Sequence, residues 1–205
     1  NRSLNRPWTT IGIATLVFAG SLFLMGRIGF SLFPASEKPQ FMVNIRAPLQ
    51  SNMAHTDSLT HWVERELAAT PAVKYFASNV GKGNPRVYYN VIQQNETPDF
   101  AQVFVLLQDD TPADEKLALI DSLRARFSGI PGAKIEVKNF EQGPPVLAPV
   151  EVRIFGENID SLRVQSARVA ELLRRTPGTL YVDDPLANLK SDVRLDIDRE
   201  KASLL

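Results

Sequence analysis

Residues 7–26 read PWTTIGIATLVFAGSLFLMG, a run of 20 residues without a charged side chain. A helix needs about 20 predominantly apolar residues to cross the hydrocarbon core of a bilayer. Arg2 and Arg6 precede the run, Arg27 follows it, and Trp8 lies near its start, where aromatic side chains commonly anchor a helix at the membrane interface. This pattern predicts a transmembrane helix in contact with the lipid bilayer.

Two other interpretations of this run stay open: a cleaved signal peptide and a buried helix of a soluble protein. A signal peptide has a shorter apolar core and ends at a small-residue cleavage site, which is not seen before Pro34. Gly12, Gly20 and Ser21 lower the hydrophobicity, but small residues also suit close packing between membrane helices. The two arginines before the run predict a cytoplasmic N-terminal flank, which places the chain after about residue 34 outside the cytoplasm, in the periplasm if the source is Gram-negative.

The composition narrows the function classes. Lys and Arg together number 23, as do Asp and Glu, so no net charge favours a nucleic-acid partner, and none is predicted. The chain has no cysteine, which excludes disulfides and thiolate chemistry. His55 and His61 would lie roughly 240° apart around a helix, a poor pair of metal ligands. Met25, Met42 and Met53 do not cluster, so the sequence predicts no metal site.

Beyond Pro34 the hydrophobic pattern alternates between strand and helix periods. The predicted helices cover 57–69, with Asp57 as cap, then 112–127, with Pro112 at the first helical position, and 160–175. The side chains expected to face a sheet are Leu59, Val63, Leu67, Leu117, Ile120 and Phe127. Strands are predicted at 40–46, 73–80, 87–92, 100–107, 133–137, 150–155, 180–182 and 192–198.

All three predicted helices after residue 34 end in the same way. A proline follows each helix, at Pro71, Pro131 and Pro177, and a strand is expected within about two residues. Strand–helix–strand units with such short joints give right-handed crossovers, and two in succession make a ferredoxin-like split βαβ sandwich. The sequence therefore predicts an α+β fold, with one complete unit over residues 40–138 and the first half of a second from about residue 150.

No enzyme motif is present. The sequence lacks a phosphate-binding loop, a nucleophile elbow and a histidine-rich cluster. The adjacent carboxylates of Asp183 and Asp184 precede Pro185 and are most simply a solvated turn. We expect neither catalysis nor a cofactor.

The polar segment over residues 81–99 is too long for a plain turn, and such loops are usually functional or mobile. Gly81 and Gly83 would leave its backbone free to swing. Phe76 and Phe100 lie at its two ends and either line a cleft or fill the core. The other interpretation of the segment is a disordered hairpin tip without a binding role.

Three phrases resemble one known family: NPRVY at 84–88, GPPVLAPVEVRIFG at 143–156 and DIDREKA at 196–202. Together with the order of elements, they are similar to the second internal repeat of the RND (resistance–nodulation–cell division) transporters. The resemblance implies a transmembrane helix with its flank at 1–33 and ferredoxin-like porter subdomains, a first at 34–141 and an incomplete second at 142–190. The start of a docking region would follow at 191–205.

The resemblance further implies a homotrimeric, multi-pass pump of the bacterial inner membrane. Such pumps are driven by proton influx and export small molecules from the periplasm or the outer leaflet through a periplasmic adaptor protein and an outer-membrane channel. In multidrug members the loop after the second strand is rich in phenylalanine, whereas the corresponding residues 79–84 here have no aromatic ring.

The loop and its surroundings are the substrate-contacting region that the resemblance suggests. The predicted substrate-binding residues are Phe76, Asn79, Lys82, Asn84, Arg86, Tyr88, Asn90, Phe100, Glu136 and Lys138. The alternative function is a membrane-anchored periplasmic binding or assembly module that uses the same units without transport.

Overall fold

The computed structural model describes residues 6–28, 35–146 and 148–187. The helices are α1 (Pro7–Ile28), α2 (Met53–Ala68), α3 (Ala113–Phe127) and α4 (Ile159–Arg175), and the strands are β1 (Gln40–Arg46), β2 (Val73–Val80), β3 (Phe100–Leu107) and β4 (Lys134–Asn139). The chain divides into two compact units, Asn1–Ala35 and Ser36–Leu205.

The first unit contains helix α1, which confirms the predicted apolar helix. Its 22 residues extend over roughly 33 Å at 1.5 Å per residue. The window Pro7–Leu24 has a mean hydropathy of 1.5, and none of it is buried. The Thr15 hydroxyl donates a hydrogen bond to the Ile11 carbonyl, so this polar group is satisfied within the helix. By length and composition, α1 is able to cross a membrane.

The second unit contains a four-stranded antiparallel sheet in the order β2-β3-β1-β4. Helix α2 connects β1 to β2, and α3 connects β3 to β4. This βαββαβ order with β1 and β3 in the centre is the predicted ferredoxin-like arrangement, and the α+β fold class is confirmed. The bounds of β1, β2 and β3 are those that the alternation predicts, because each strand is a short apolar run between turn-forming residues.

One face of the sheet, here called the helix face, packs against α2 and α3. It presents residues such as Val43 of β1 and Val103 of β3, which belong to the same buried cluster as Leu67 and Ile120 of the helices. Of the six side chains predicted to face the sheet, four are buried and Leu59 is partly buried against the cluster. The opposite face, here called the loop face, carries the alternate residues of the same strands.

The prediction for Leu117 is wrong, because 45% of this residue is exposed. The buried positions of α3 are Lys116, Ile120, Leu123 and Phe127, which follow one helical stripe, and Leu117 lies one residue outside it. Lys116 takes the inner place because its ammonium donates hydrogen bonds to the main-chain carbonyls of Ser36 and Lys38. A buried amine is tolerated where carbonyl oxygens accept its protons.

The predicted cap of α2 is also wrong. The helix begins at Met53, and the side chain of Asn52 accepts a hydrogen bond from the His55 N–H at 2.9 Å. Asp57 lies inside the helix and its carboxylate is 3.4 Å from the His61 ring. Asn and Asp are comparable caps, and the observed cap is Asn52, five residues before the predicted one. In α3, Pro112 is the residue before the first helical position.

Three predicted strands do not form in the part of the chain that the structure describes: 87–92, 150–155 and 180–182. Each has β-forming residues, but a strand needs a neighbour that accepts its ladder hydrogen bonds. Beside the outer strand β4, the Tyr181 hydroxyl accepts a hydrogen bond from the Val137 N–H at 2.9 Å, in place of a further strand. The predicted strand at 192–198 lies outside the described residues. The predicted domain limits stay predictions.

We expect Leu67→Ala to lower the free energy of unfolding of the second unit by about 2–5 kcal/mol, because the fully buried leucine would leave a cavity between α2 and the sheet. The measurement is urea unfolding followed by fluorescence of Trp62, whose ring packs 5.5 Å from that of Phe127. Leu117→Ala is the control and should change the value by less than about 0.5 kcal/mol. Equal effects of the two substitutions would contradict this packing.

Candidate functional site

The loop over residues 81–99 lies against the loop face of the sheet. At its base the Gly81 N–H donates to the Phe100 carbonyl at 2.8 Å, and the Thr97 N–H donates to the Gly81 carbonyl at 2.9 Å. Gly81 has a φ of +81°, and a Cβ there would lie 2.8 Å from the terminal methyl of Met53. The positive φ favours glycine at this position, while the flexible Met53 side chain could move away from a Cβ.

The middle of the loop is held by Tyr88. Its ring meets Phe140 edge-on with centroids 5.2 Å apart, and the Lys38 ammonium lies 5.6 Å from the ring centroid. The side-chain amide of Gln40 in β1 donates a hydrogen bond to the tyrosine hydroxyl. The ring thus covers the end of β1 on the loop face.

The neighbouring residues attach the loop to the segment after β4. The Tyr89 hydroxyl donates to the Gly143 carbonyl at 3.0 Å, and the Asn90 side chain donates to the Glu141 carbonyl at 2.6 Å. The Arg86 guanidinium returns to the Tyr89 carbonyl at 2.7 Å. In this structure the loop is docked along its length, although its two glycines suggest a swinging segment.

Beneath the loop a row of polar side chains crosses the sheet. The strand register places Asn79 of β2 opposite Gln102 of β3, Gln102 opposite Asn44 of β1, and Asn44 opposite Glu136 of β4. The Gln102 amide donates to the Asn44 side-chain oxygen at 2.8 Å. In the loop, the Asn84 N–H donates to the Gln102 side-chain oxygen at 2.8 Å. This polar row joins the sheet to the loop.

Glu136 is 5% exposed and ends the polar row between two lysines. Its carboxylate oxygens lie 2.9 Å from the Lys138 ammonium and 3.2 Å from that of Lys134. Burial is the largest single influence and acts to raise the pKa of Glu136, but the attraction and hydrogen bonds of Lys138 and then Lys134 together lower it below the ordinary value. The row therefore ends in an ionised carboxylate at neutral pH.

A cleft of about 390 Å³ opens between the two arms of the loop. A Cβ on Gly83 would lie 2.9 Å from the main-chain nitrogen of Gln94, so the arms approach each other closely there. The lining residues have amide, ammonium and carboxylate groups and no aromatic ring: Asn79, Lys82, Gly83, Pro85, Gln93, Gln94, Asn95 and Glu96. Such a lining is suited to hydrogen-bonding ligands rather than to apolar ones.

The structure brings most of the predicted site residues to one face. Asn79 and Lys82 line the cleft. Asn84 lies on the polar row, and the docked middle of the loop contains Arg86, Tyr88 and Asn90. Glu136 and Lys138 form the ion pair on β4.

Phe76 and Phe100 do not share a wall. Phe76 pairs with Val105, which places it on the helix-face side of the outer strand β2, where 37% of it is exposed. Phe100 pairs with Arg46 on the loop face and is fully buried, with the Arg46 guanidinium 5.1 Å from its ring centroid. The interpretation of the two rings as one aromatic wall is therefore wrong. The register of the strands places the two rings on opposite faces of the sheet.

The sequence analysis missed Asn44, Gln102 and the second arm of the loop. A signal was present: Gln102 interrupts the apolar run of β3, and Asn44 interrupts that of β1. A lone amide in a buried strand indicates a hydrogen-bond partner on that face. Among the residues that the structure describes, no group of three or more His, Cys, Asp or Glu side chains is placed to hold a metal ion.

We expect the ion pairs of Glu136 to make stability depend on pH. Because the folded pKa is lowered, the contribution is present above the ordinary value near 4.5 and is lost as the pH falls through the folded pKa. Unfolding of the wild type and Glu136→Gln should therefore differ most at pH 6–7, and the difference should shrink as the pH falls below about 4.5. Glu115→Gln, at an exposed position of α3, is the control. A difference independent of pH would contradict the assignment.

Comparison with known proteins places the whole chain in one family. Residues 1–205 match the family model described as the AcrB/AcrD/AcrF family. The chain is 23% identical over 193 residues to the nickel and cobalt resistance protein CnrA of Cupriavidus metallidurans. This alignment covers 89% of this chain and 17% of CnrA. The chain thus spans less than a fifth of this curated relative.

Two crystal forms of a heavy metal efflux pump share the fold. One aligns with a TM-score of 0.55 and 19% identity over 83% of this chain and 18% of the pump chain. The other aligns with a TM-score of 0.61 and 20% identity over 96% of this chain and 20% of the pump chain. At these identities the likeness establishes the fold alone. With the family match over its full length, the chain belongs to the AcrB/AcrD/AcrF family of RND efflux transporters.

Proposed function

We propose that this chain is the start of the second repeat of a proton-driven RND pump that exports small molecules from the periplasm or the outer leaflet of the inner membrane. Family membership supports an efflux role. Helix α1, long enough to span a bilayer, precedes a ferredoxin-like unit in the chain, as expected for a membrane helix followed by a porter subdomain. The proton relay would lie in other parts of the pump, since the family places it on central membrane helices.

The observation that carries the proposal of a substrate site is the cleft in the docked loop. Its volume of about 390 Å³ lies within the range of about 300–1,000 Å³ that small-molecule sites occupy. Its lining combines amides with Lys82 and Glu96, which together suit a molecule with several hydrogen-bonding groups. We therefore propose a polar organic substrate in place of the amphipathic molecule that an aromatic wall would bind.

A second candidate substrate is a divalent metal ion. The name of the relative CnrA, a nickel and cobalt resistance protein, favours it. Within the described part of this chain no cluster of metal-binding side chains supports it. Metal ligands would then have to come from other parts of the pump, and metal-salt resistance of cells that express it distinguishes the two candidates.

Assembly and placement follow as proposals from the same family. The full protein would be a homotrimer in the inner membrane, with the chain after about residue 34 in the periplasm, working with a periplasmic adaptor and an outer-membrane channel. We propose no enzymatic activity. The competing function, a membrane-anchored periplasmic module without transport, is distinguished by further hydrophobic spans elsewhere in the full-length gene product.

We expect the double substitution Gly81→Val and Gly83→Val to reduce export of polar compounds from cells that carry the full-length pump. Gly81 has a positive φ, and a side chain on Gly83 would collide with the main chain of Gln94, so the cleft could not keep its shape. The measurement is efflux across a panel of polar compounds and of nickel and cobalt salts.

Gly129→Val is the matched control, because a Cβ on Gly129 meets nothing within 4 Å. Native gel electrophoresis should show the same oligomer for all variants. Unchanged export of every compound would mean that the loop is only a connector, and a change confined to the metal salts would favour the second candidate.

The proposed topology predicts that reporters fused at Asn95 are active only in their periplasmic form. Asn95 lies in the loop and lines the cleft, so the fusion reports the side of the membrane on which these residues lie. A phosphatase active only after export and a reporter active only in the cytoplasm form the matched pair. Activity of the cytoplasmic reporter alone would contradict this placement.

A further inference from the structure

We propose that Gln102 is the positioning residue of the 81–99 loop: its buried amide links Asn84 to the sheet and thereby sets the shape of the cleft. The effect of Gln102 on transport rests on the proposed function, whereas its effect on the position of the loop does not.

Both the nitrogen and the oxygen of the Gln102 side-chain amide make hydrogen bonds. Its nitrogen donates to the Asn44 oxygen at 2.8 Å, which leaves its oxygen turned to accept the Asn84 N–H at 2.8 Å. The residue is 4% exposed, so water offers little replacement for either bond. An amide held by a neighbour on the sheet is a fixed acceptor, and a fixed acceptor defines where the loop backbone lies.

The position of Asn84 in turn determines the shape of the cleft. Lys82 and Gly83 precede it, Pro85 follows it, and all three line the cleft. Asn79 also lines the cleft and donates to the Asn84 side-chain oxygen. A shift of Asn84 therefore moves one whole arm of the cleft.

One group of the same residue disfavours the docked state. The side-chain nitrogen of Asn84 is buried and has no hydrogen-bond partner. A buried donor without a partner favours a state in which water reaches it, that is, an undocked loop. The hydrogen bond from Asn84 to Gln102 opposes this tendency, so its removal should release the arm.

The rest of the loop has separate attachments. Main-chain bonds between Gly81, Thr97 and Phe100 hold its base, and the side chains of Tyr88 and Asn90 hold its middle. The Gln102–Asn84 bond lies between these two regions. Its loss should loosen residues 82–86 without unfolding the sheet, whose buried cluster lies on the other face.

The experiment is limited trypsin digestion of the purified full-length pump, with the rate of cleavage after Lys82 and Arg86 measured by mass spectrometry. Both side chains are exposed, so cleavage reports how often the backbone leaves its docked position. Gln102→Met keeps the length of the side chain and removes the acceptor. We expect cleavage roughly three to ten times faster, the factor that one lost hydrogen bond gives.

One variant separates positioning from general destabilisation. Val103→Ala removes fully buried volume from the adjacent residue on the helix face and should leave cleavage in the loop near the wild-type rate. If Gln102→Met does not assemble, Asn79→Ala at the partly exposed end of the row should still accelerate cleavage.

A wild-type cleavage rate in assembled Gln102→Met would overturn the inference, as would equal acceleration by Val103→Ala. If Gln102→Met does not assemble, a wild-type rate in Asn79→Ala would overturn it. Transport is a separate readout. If the cleft binds substrate, Gln102→Met should raise the apparent KM for a polar substrate more than it lowers the maximal rate. Faster cleavage with unchanged transport would support the role of Gln102 and contradict the proposed substrate cleft.

Discussion

The antiparallel pairing of β1 with both β3 and β4 is the constraint on which the rest of this fold depends. Through it, Val43 lies opposite Val103 and Val137, while Asn44 lies opposite Gln102 and Glu136. Side chains alternate between the two faces of a strand, so this register separates an apolar face from a polar one. The helices cover the first face and the 81–99 loop covers the second. A slip by one residue would exchange them.

The two faces are stabilised in different ways. The helix face gains its stability from apolar burial, which is roughly proportional to area and tolerates changes of similar volume. The loop face carries Gln102, Asn44 and Glu136, whose burial is favourable only while each keeps its partners. Specific partners define one arrangement, whereas apolar contacts permit several. We infer that the loop face is the part of this unit in which small sequence changes alter function.

Membership of an efflux family and a shared fold do not by themselves name a cargo. The relatives reported above are named for metals, yet the cleft in this chain is lined by amides, Lys82 and Glu96. These groups are placed by a loop, and loops carry specificity on a scaffold that remains constant. The proposal of a polar substrate therefore rests on side chains of this chain and not on the family name.

The sequence by itself determined the elements whose signals are local. The apolar helix at 7–26, the strands β1, β2 and β3, and the helices that connect the strands of the sheet follow from hydrophobic period, length and proline positions, which neighbours along the chain decide. The fold class follows from the order of these elements.

Only the tertiary structure decided what depends on distant partners. Residues 87–92 have strand-forming side chains but pack as a docked loop, since Tyr88 is held by Gln40 and Phe140. Lys116 is buried because carbonyls far earlier in the chain accept its hydrogen bonds. That burial lowers its pKa. Phe76 and Phe100 are separated by the strand register. The pattern along one strand does not show which remote residue completes a hydrogen bond or a register, and such contacts built the candidate site.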